Sequence, residues 1–216
     1  MKRLTIIFFL ALSACTTARL DLPDGAYDVT GANPRRWNAP LSFGEFATQS
    51  VNEGTTRSFL ADLGIVQVGK TDQAYRFTLN GVSAECHTRE IVIGRAGVFV
   101  DPNLGNAPLL VCGFERSTGT RSVLALSRSG RAEPALVGEL RELGGPALEV
   151  RSIHRPEGAA IASSEPFGYE IVSDNYRVAA VETINRGRVW IEPTVTANRD
   201  MLAAASAALL LFRDDS

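Results

Sequence analysis

Between Asn198 and Arg213 runs Met201-Leu-Ala-Ala-Ala-Ser-Ala-Ala-Leu-Leu-Leu-Phe212, a stretch whose only polar residue is Ser206. Asn198 suits an N-cap, Asp200 suits a first turn and Arg213 a last turn, so the segment is expected to be an α-helix over 199–212. A helix apolar on every side has no wet face and must be enclosed. Its rise of about 18 Å is too short for a bilayer. Ser206 can bond back to its own backbone. The alanines give the helix a narrow waist that lets other backbone approach closely. The simplest enclosure is the interior of the chain's own β structure. A groove on a partner chain and a peripheral membrane contact are the alternatives, the last weakened by the missing charged face.

The β structure is legible in short runs separated by turn residues. Strands are expected at Ser42–Gln49, Ile65–Val68, Tyr75–Leu79, Ile91–Ile93, Val98–Val100, Leu109–Phe114 and Val123–Leu126. More are expected at Ala135–Leu140, Leu148–Ile153, Tyr169–Val172, Val178–Ile184 and Val189–Ile191. Asn80-Gly81, Gly144-Gly145-Pro146, Asp174-Asn175 and Asn185-Arg186-Gly187 supply turns. Many short strands at such spacing argue for a sandwich or barrel. The expected fold is mostly β, an antiparallel barrel or curved sheet enclosing one hydrophobic C-terminal helix. Nothing marks a second domain in 41–216.

The other end of the chain speaks to location. Lys2 and Arg3 precede an apolar run from Leu4 to Leu12, far below the roughly 20 residues of a spanning helix, so residues 1–14 read as a signal peptide. Leu12-Ser13-Ala14-Cys15 resembles the lipobox of bacterial lipoproteins. The resemblance implies cleavage before Cys15, a diacylglycerol on its thiol and acylation of the new amino terminus. Thr16 at the next position implies the outer membrane, periplasmic face. An ordinary signal with a chance cysteine is the bland alternative. Residues 15–40, rich in Pro, Gly, Asp and Asn, read as a lipidated tether. Trp37 is expected to pack on the domain edge, and Arg35-Arg36 beside it to sit in a solvated turn.

Composition removes several classes of function. A hydrophobic share of 45% excludes wholesale disorder. Losing Lys2 and Arg3 takes the net charge from −2 to about −4, which does not suit a nucleic-acid binder. Beyond Cys15 the cysteines are Cys86 and Cys112. An oxidising compartment makes a disulfide the default, closing a loop of about 27 residues and contributing on the order of 3 kcal/mol. Two free thiols or a metal pair remain open. Metal ligation by Cys86 with His87 is awkward, because neighbours on a strand point to opposite faces. No metal and no cofactor is expected.

The segment Gly168-Tyr-Glu-Ile-Val, Val178-Ala-Ala-Val-Glu, Arg188-Val-Trp-Ile and Asn198-Arg-Asp with the following Ala/Leu helix resembles the end of the tubby-like and phospholipid-scramblase-like superfamily. The resemblance covers about the last 50 residues. It implies a closed antiparallel barrel around a hydrophobic C-terminal helix. The family's phosphoinositide-binding basic residues have no match here and none is carried over.

Few residue patterns carry chemistry. Gly64-Ile-Val-Gln-Val-Gly69-Lys70-Thr71 fits the phosphate-loop spacing. Its middle residues prefer a strand, however, and no helix follows to present its N-terminus. Asp101-Pro-Asn103-Leu-Gly105-Asn106 lacks the distal glutamate of a calcium loop and reads as an Asx/Pro turn. Ser83, Glu85, His87 and Glu90 suggest a His–carboxylate unit, with a polar strand edge as the bland account. His154 has no evident second ligand. The expected function is a non-catalytic envelope lipoprotein, held by its lipid anchor, that binds a protein partner or lipid at the periplasmic membrane surface. The rival is a periplasmic hydrolase with a loop-cleft site at His87 or His154.

Overall fold

A computed structural model describes residues 18–31, 40–53, 65–68, 73–88, 91–94, 109–129, 136–159 and 161–212. The strands are β1 (Tyr27–Asp28), β2 (Ser42–Phe43), β3 (Phe46–Glu53), β4 (Ile65–Val68), β5 (Gln73–Leu79), β6 (Val82–Thr88) and β7 (Ile91–Gly94). They continue as β8 (Leu110–Arg116), β9 (Arg121–Arg128), β10 (Leu136–Glu142), β11 (Ala147–Ile153), β12 (Gly168–Ser173), β13 (Tyr176–Glu182) and β14 (Arg188–Ile191). The helix α1 spans Arg199–Leu211.

Twelve strands form one antiparallel sheet in the order β1-β14-β13-β12-β11-β10-β9-β8-β6-β5-β3-β2. Apart from β1, each strand lies beside its sequence neighbour within that sheet, so the sheet is an up-and-down meander. The sheet curls until its two ends approach. Thr30, just past β1, bridges Ser42 of β2 through two backbone hydrogen bonds of 2.9 Å. Register shifts between Thr48 and Ser50 and between Ile171 and Val172 bend the sheet. At Gly138 a Cβ would lie 1.8 Å from the Ala125 carbonyl oxygen, so β10 can pass β9 there only with glycine. β4 and β7 pair separately as a small ribbon.

The barrel holds the helix. Met201–Leu209 and Leu211 are buried, Leu210 is half-buried, and Phe212 is 8% exposed. α1 lies against β13 and β14 on one side and β5, β6 and β8 on the other. Ser206 Oγ donates to the Leu202 carbonyl at 2.7 Å, which satisfies the one polar side chain of the run. Near the C-terminal end the Tyr75 hydroxyl donates to the Ala208 carbonyl at 2.9 Å. At the other end Arg199 donates to Glu45 (2.8 Å) and Tyr27 (3.3 Å) and stands over the Phe46 ring.

Cys86 and Cys112 sit directly opposite one another on β6 and β8 and form a disulfide across them, Cα–Cα 4.0 Å. Their sulfurs belong to the barrel interior with Phe114 and Leu124. The bond clamps the two strands that flank the 89–109 connection.

Several expectations need correction. Ser42–Gln49 is two strands, because Gly44 (φ 56°) turns the chain between β2 and β3. Residues 82–88, absent from the expected strands, form an interior strand between β5 and β8; its outward polar residues masked the inward Val82, Ala84 and Cys86. The 15–40 tether is in part integral to the fold: Leu20 and Val29 are buried and β1 pairs with β14. Short apolar steps between turn residues hid that role. Asn198 does not cap the helix through its side chain; its Oδ1 accepts instead from Arg116. Val98–Val100, Trp37, Arg35, Arg36, Arg213 and the 101–106 turn lie outside the described residues.

Burial pushes the Tyr75 hydroxyl well above its usual pKa, with the neighbouring Tyr169 adding to the effect. Between the ordinary value near 10 and the raised native value, the unfolded chain has lost a proton that the native chain keeps. Stability conferred by a neutral Tyr75 is therefore intact below pH 10 and falls as pH rises beyond it. Y75F should cost about 1 kcal/mol at pH 7. In denaturant titrations from pH 9 to 11 it should also flatten the alkaline fall in stability relative to wild type. The double change C86A/C112A should lower stability by about 3 kcal/mol, read as a fall in denaturation midpoint with the sheet's circular-dichroism spectrum retained.

Candidate functional site

With its interior filled, the barrel offers only its outer wall and its two ends. The ends differ. One carries the turns after β2, β5, β8, β10 and β12, all short: Gly44-Glu45, Asn80-Gly81, Ser117–Thr120, Leu143–Pro146 and Asp174-Asn175. The opposite end carries the connections 54–72, 89–109, 129–135, 154–167 and 183–187. Two of these include β4 and β7, which pair with each other. Long connections on a rigid scaffold are where binding surfaces are usually built.

At this long-loop end β11 runs out into the 154–167 connection. Ser152 and His154, two residues apart, share a side of the chain. His154 Nδ1 donates to the Ser163 carbonyl at 3.0 Å, which leaves Nε2 as an acceptor. The Ser152 hydroxyl stands 2.8 Å from that nitrogen and donates to it. Ser152 Oγ also accepts the Leu136 N–H at 2.8 Å. Both side chains are half-buried. A serine hydroxyl on an imidazole of fixed tautomer is the beginning of a nucleophile–base pair. The sequence reading weighed His154 without a partner; Ser152, at i−2 on the same strand face, is the residue it missed.

His87 has a different setting. Its Nε2 meets Glu85 Oε1 at 2.9 Å, and Arg76 Nη2 reaches the same oxygen at 3.1 Å. His87 is 3% and Glu85 4% exposed, on the outward side of β6, while Cys86 between them points inward. Cys86 and His87 thus face apart and share no ligand position. Ser83 is exposed on the outward side of the same strand. Among the described residues no group of three or more His, Cys, Asp or Glu side chains gathers as a metal site. The Gly64–Thr71 motif contains β4, so its centre is extended as expected; Gly69–Thr71 lie outside the described residues, as do Arg89, Glu90 and Cys15.

A third cluster lies on the outer wall where β12–β14 meet the incoming chain. Residues 18–21 run up this wall as a strap. The Asn185 side chain donates to the Ala18 carbonyl (2.9 Å), and Glu157 N–H donates to the Arg19 carbonyl (2.9 Å). Glu182 Oε2 accepts from Leu20 N–H (2.8 Å) and from Arg188 Nη2 (2.7 Å), and the same Nη2 donates to the Leu20 carbonyl (2.8 Å). Glu182 is 2% exposed, and its hydrogen bond holds the Arg188 guanidinium pKa above its ordinary value. Leu20 seats over Gly168, where a Cβ would come within 2.6 Å of its Cδ1.

Compared with family models, curated proteins and solved structures, this chain matches none.

Removing Glu182 would leave Arg188 and the Leu20 N–H without their shared acceptor. E182A should destabilise the protein by about 3 kcal/mol. Before global unfolding it should also release the strap, read as faster tryptic cleavage after Arg19 than in wild type.

Proposed function

We propose that this protein is a non-catalytic, lipid-anchored component of the bacterial envelope, on the periplasmic face of the outer membrane. It would present the long-loop end of its barrel to a protein partner or to lipid. The observation that carries this reading is the filled interior: α1 occupies the space in which a barrel of this size could hold a ligand, so recognition falls to the outside. The lipobox supplies the location. The barrel enclosing a C-terminal helix also supports kinship with the tubby-like and scramblase-like superfamily, a likeness of architecture that names no ligand here. Among the described residues no helix is long and apolar enough to cross a membrane. Anchoring by several acyl chains, each methylene contributing about 0.8 kcal/mol, accounts for membrane residence without one. Mass spectrometry of the protein from envelopes should find cleavage before Cys15 and an acylated cysteine at the new terminus, with C15S shifting to the soluble periplasmic fraction. An intact, unacylated Cys15 would overturn the reading.

The Ser152–His154 pair favours a second reading, a hydrolase whose cleft lies under the 154–167 connection. Ser152 Oγ would attack an acyl carbon while His154 Nε2 takes its proton and passes it to the departing alcohol or amine, and water would then release the acyl group from Ser152. A fluorophosphonate probe should then label the wild type at Ser152 and fail to label S152A or H154A. Absence of labelling leaves the non-catalytic reading standing.

A further inference from the structure

The strap and the asymmetry of the barrel together fix how an anchored molecule would stand. Ala18 is bonded to Asn185 and Arg19 to Glu157, both in connections of the long-loop end. From there the strap runs toward the opposite end: Leu20 meets Glu182 at the close of β13, and the Asp21 carbonyl faces Arg177 near its start. The chain toward Cys15 therefore leaves the barrel at the long-loop end. Cys15 and Ala18 are three Cα steps apart, with Thr16 and Thr17 between them, and that chain spans at most about 10 Å. Strands of seven or eight residues make a barrel roughly 20 Å tall. An acylated Cys15 sits at the boundary between headgroups and acyl chains, and a headgroup layer is about 5–8 Å deep. The free chain is thus shorter than the barrel is tall, and the short-turn end cannot be turned to the membrane without undoing the strap.

We infer that the strap at residues 18–21 docks the end of the barrel bearing the 154–167 and 183–187 connections onto the headgroup layer of the membrane, with the short-turn end facing away into the aqueous space. This rests on the lipid-anchor reading above and adds to it the surface that touches lipid. Exposed groups on the described part of that end carry both signs, Arg155 and Arg186 beside Glu157 and Glu165. The orientation is set by the covalent attachment and the strap, and needs no anionic lipid. Each end carries a large exposed apolar side chain, Ile161 (83% exposed) in the 154–167 connection and Tyr176 (77% exposed) at the β12–β13 turn.

These two positions make the test. The photo-crosslinking residue p-benzoylphenylalanine is placed at Ile161 or at Tyr176 in the full lipoprotein, purified from envelopes and reconstituted in phosphatidylethanolamine/phosphatidylglycerol vesicles. Irradiation should give lipid adducts from position 161 and a loss of adducts to background at position 176. A flexible Gly/Ser linker inserted between Thr17 and Ala18, which leaves the strap intact, should abolish the difference while flotation with the vesicles persists. Equal adducts from both positions without the linker, or adducts from 176 alone, in a protein that is acylated and floats, would overturn the orientation and spare the anchor. A protein that carries no acyl chain would overturn the anchor and the orientation with it.

Discussion

The need to keep α1 out of water governs the size of this barrel. A closed sheet of eight strands has room for its own inward side chains, and one of sixteen leaves a channel. Twelve strands lie between, with an interior that accepts one helix if the helix is slender. Ala203, Ala204, Ala205, Ala207 and Ala208, all fully buried, make it so. The larger side chains flank this waist: Met201 and Leu202 toward one end of the barrel, Leu209, Leu211 and Phe212 toward the other. Neither the sheet nor the helix has another way to cover its apolar surface. The sheet's inward Phe43, Phe46, Phe77 and Phe114 would line an empty tube without α1, and α1 would have no dry surroundings without the sheet.

That mutual burial constrains chemistry as well as folding. The helix and its nearest hydroxyl are satisfied inside: Ser206 bonds within the helix, and the Tyr75 hydroxyl is spent on the Ala208 carbonyl. Polar groups with more to do are on the outer wall or at the long-loop end. The Glu85–His87–Arg76 cluster is on the wall and shielded from solvent, a setting suited to pinning β5 to β6 beside the disulfide. The Ser152–His154 pair stands where the long connections gather. The division between an apolar inside and polar groups on the outside follows from filling the barrel with its own helix.

Much of this was readable from residue order, for physical reasons that differ by element. α1 announced itself because the twelve residues Met201–Phe212, with Ser206 alone polar among them, have no wet face and so permit few fates. The turns at Asn80-Gly81 and Asp174-Asn175 were legible because these residues take the positive φ values that two-residue hairpins demand. β6 was not, since Ser83, Glu85 and His87 alternate with small inward residues and give no hydrophobic stripe. The disulfide followed from cysteine arithmetic, and its position across β6 and β8 emerged only with the register. The strap was invisible: Leu20 stands between Arg19 and Asp21 in a short mixed stretch, and its place depends on Gly168, Glu182 and Arg188, all remote in sequence. Ser152 was overlooked because its value lies in the ring orientation that the distant Ser163 carbonyl imposes on His154.

The incoming chain does two jobs that the topology ties together. After the strap, the same segment turns at Asp24-Gly25, enters β1 against β14, and reaches Thr30, whose bridge to Ser42 draws the two edges of the sheet together. Tyr27 on the way lends its hydroxyl to Arg199 at the start of α1, and Arg199 in turn holds Glu45 in the β2–β3 turn. Strap, seam and the first turn of the helix therefore form one continuous set of contacts. A pull on residues before Ala18 is borne first by Asn185 and Glu157, then by Glu182 and Arg188, and only when these yield does it reach the seam. At that point the Leu20 backbone is held by a charged acceptor and a charged donor, and pulling it off the wall leaves both hydrogen bonds unmade. Gly168 completes the arrangement by leaving Leu20 room to lie flat on the wall. Load on the incoming chain thus reaches the barrel wall before it can open the barrel's closure.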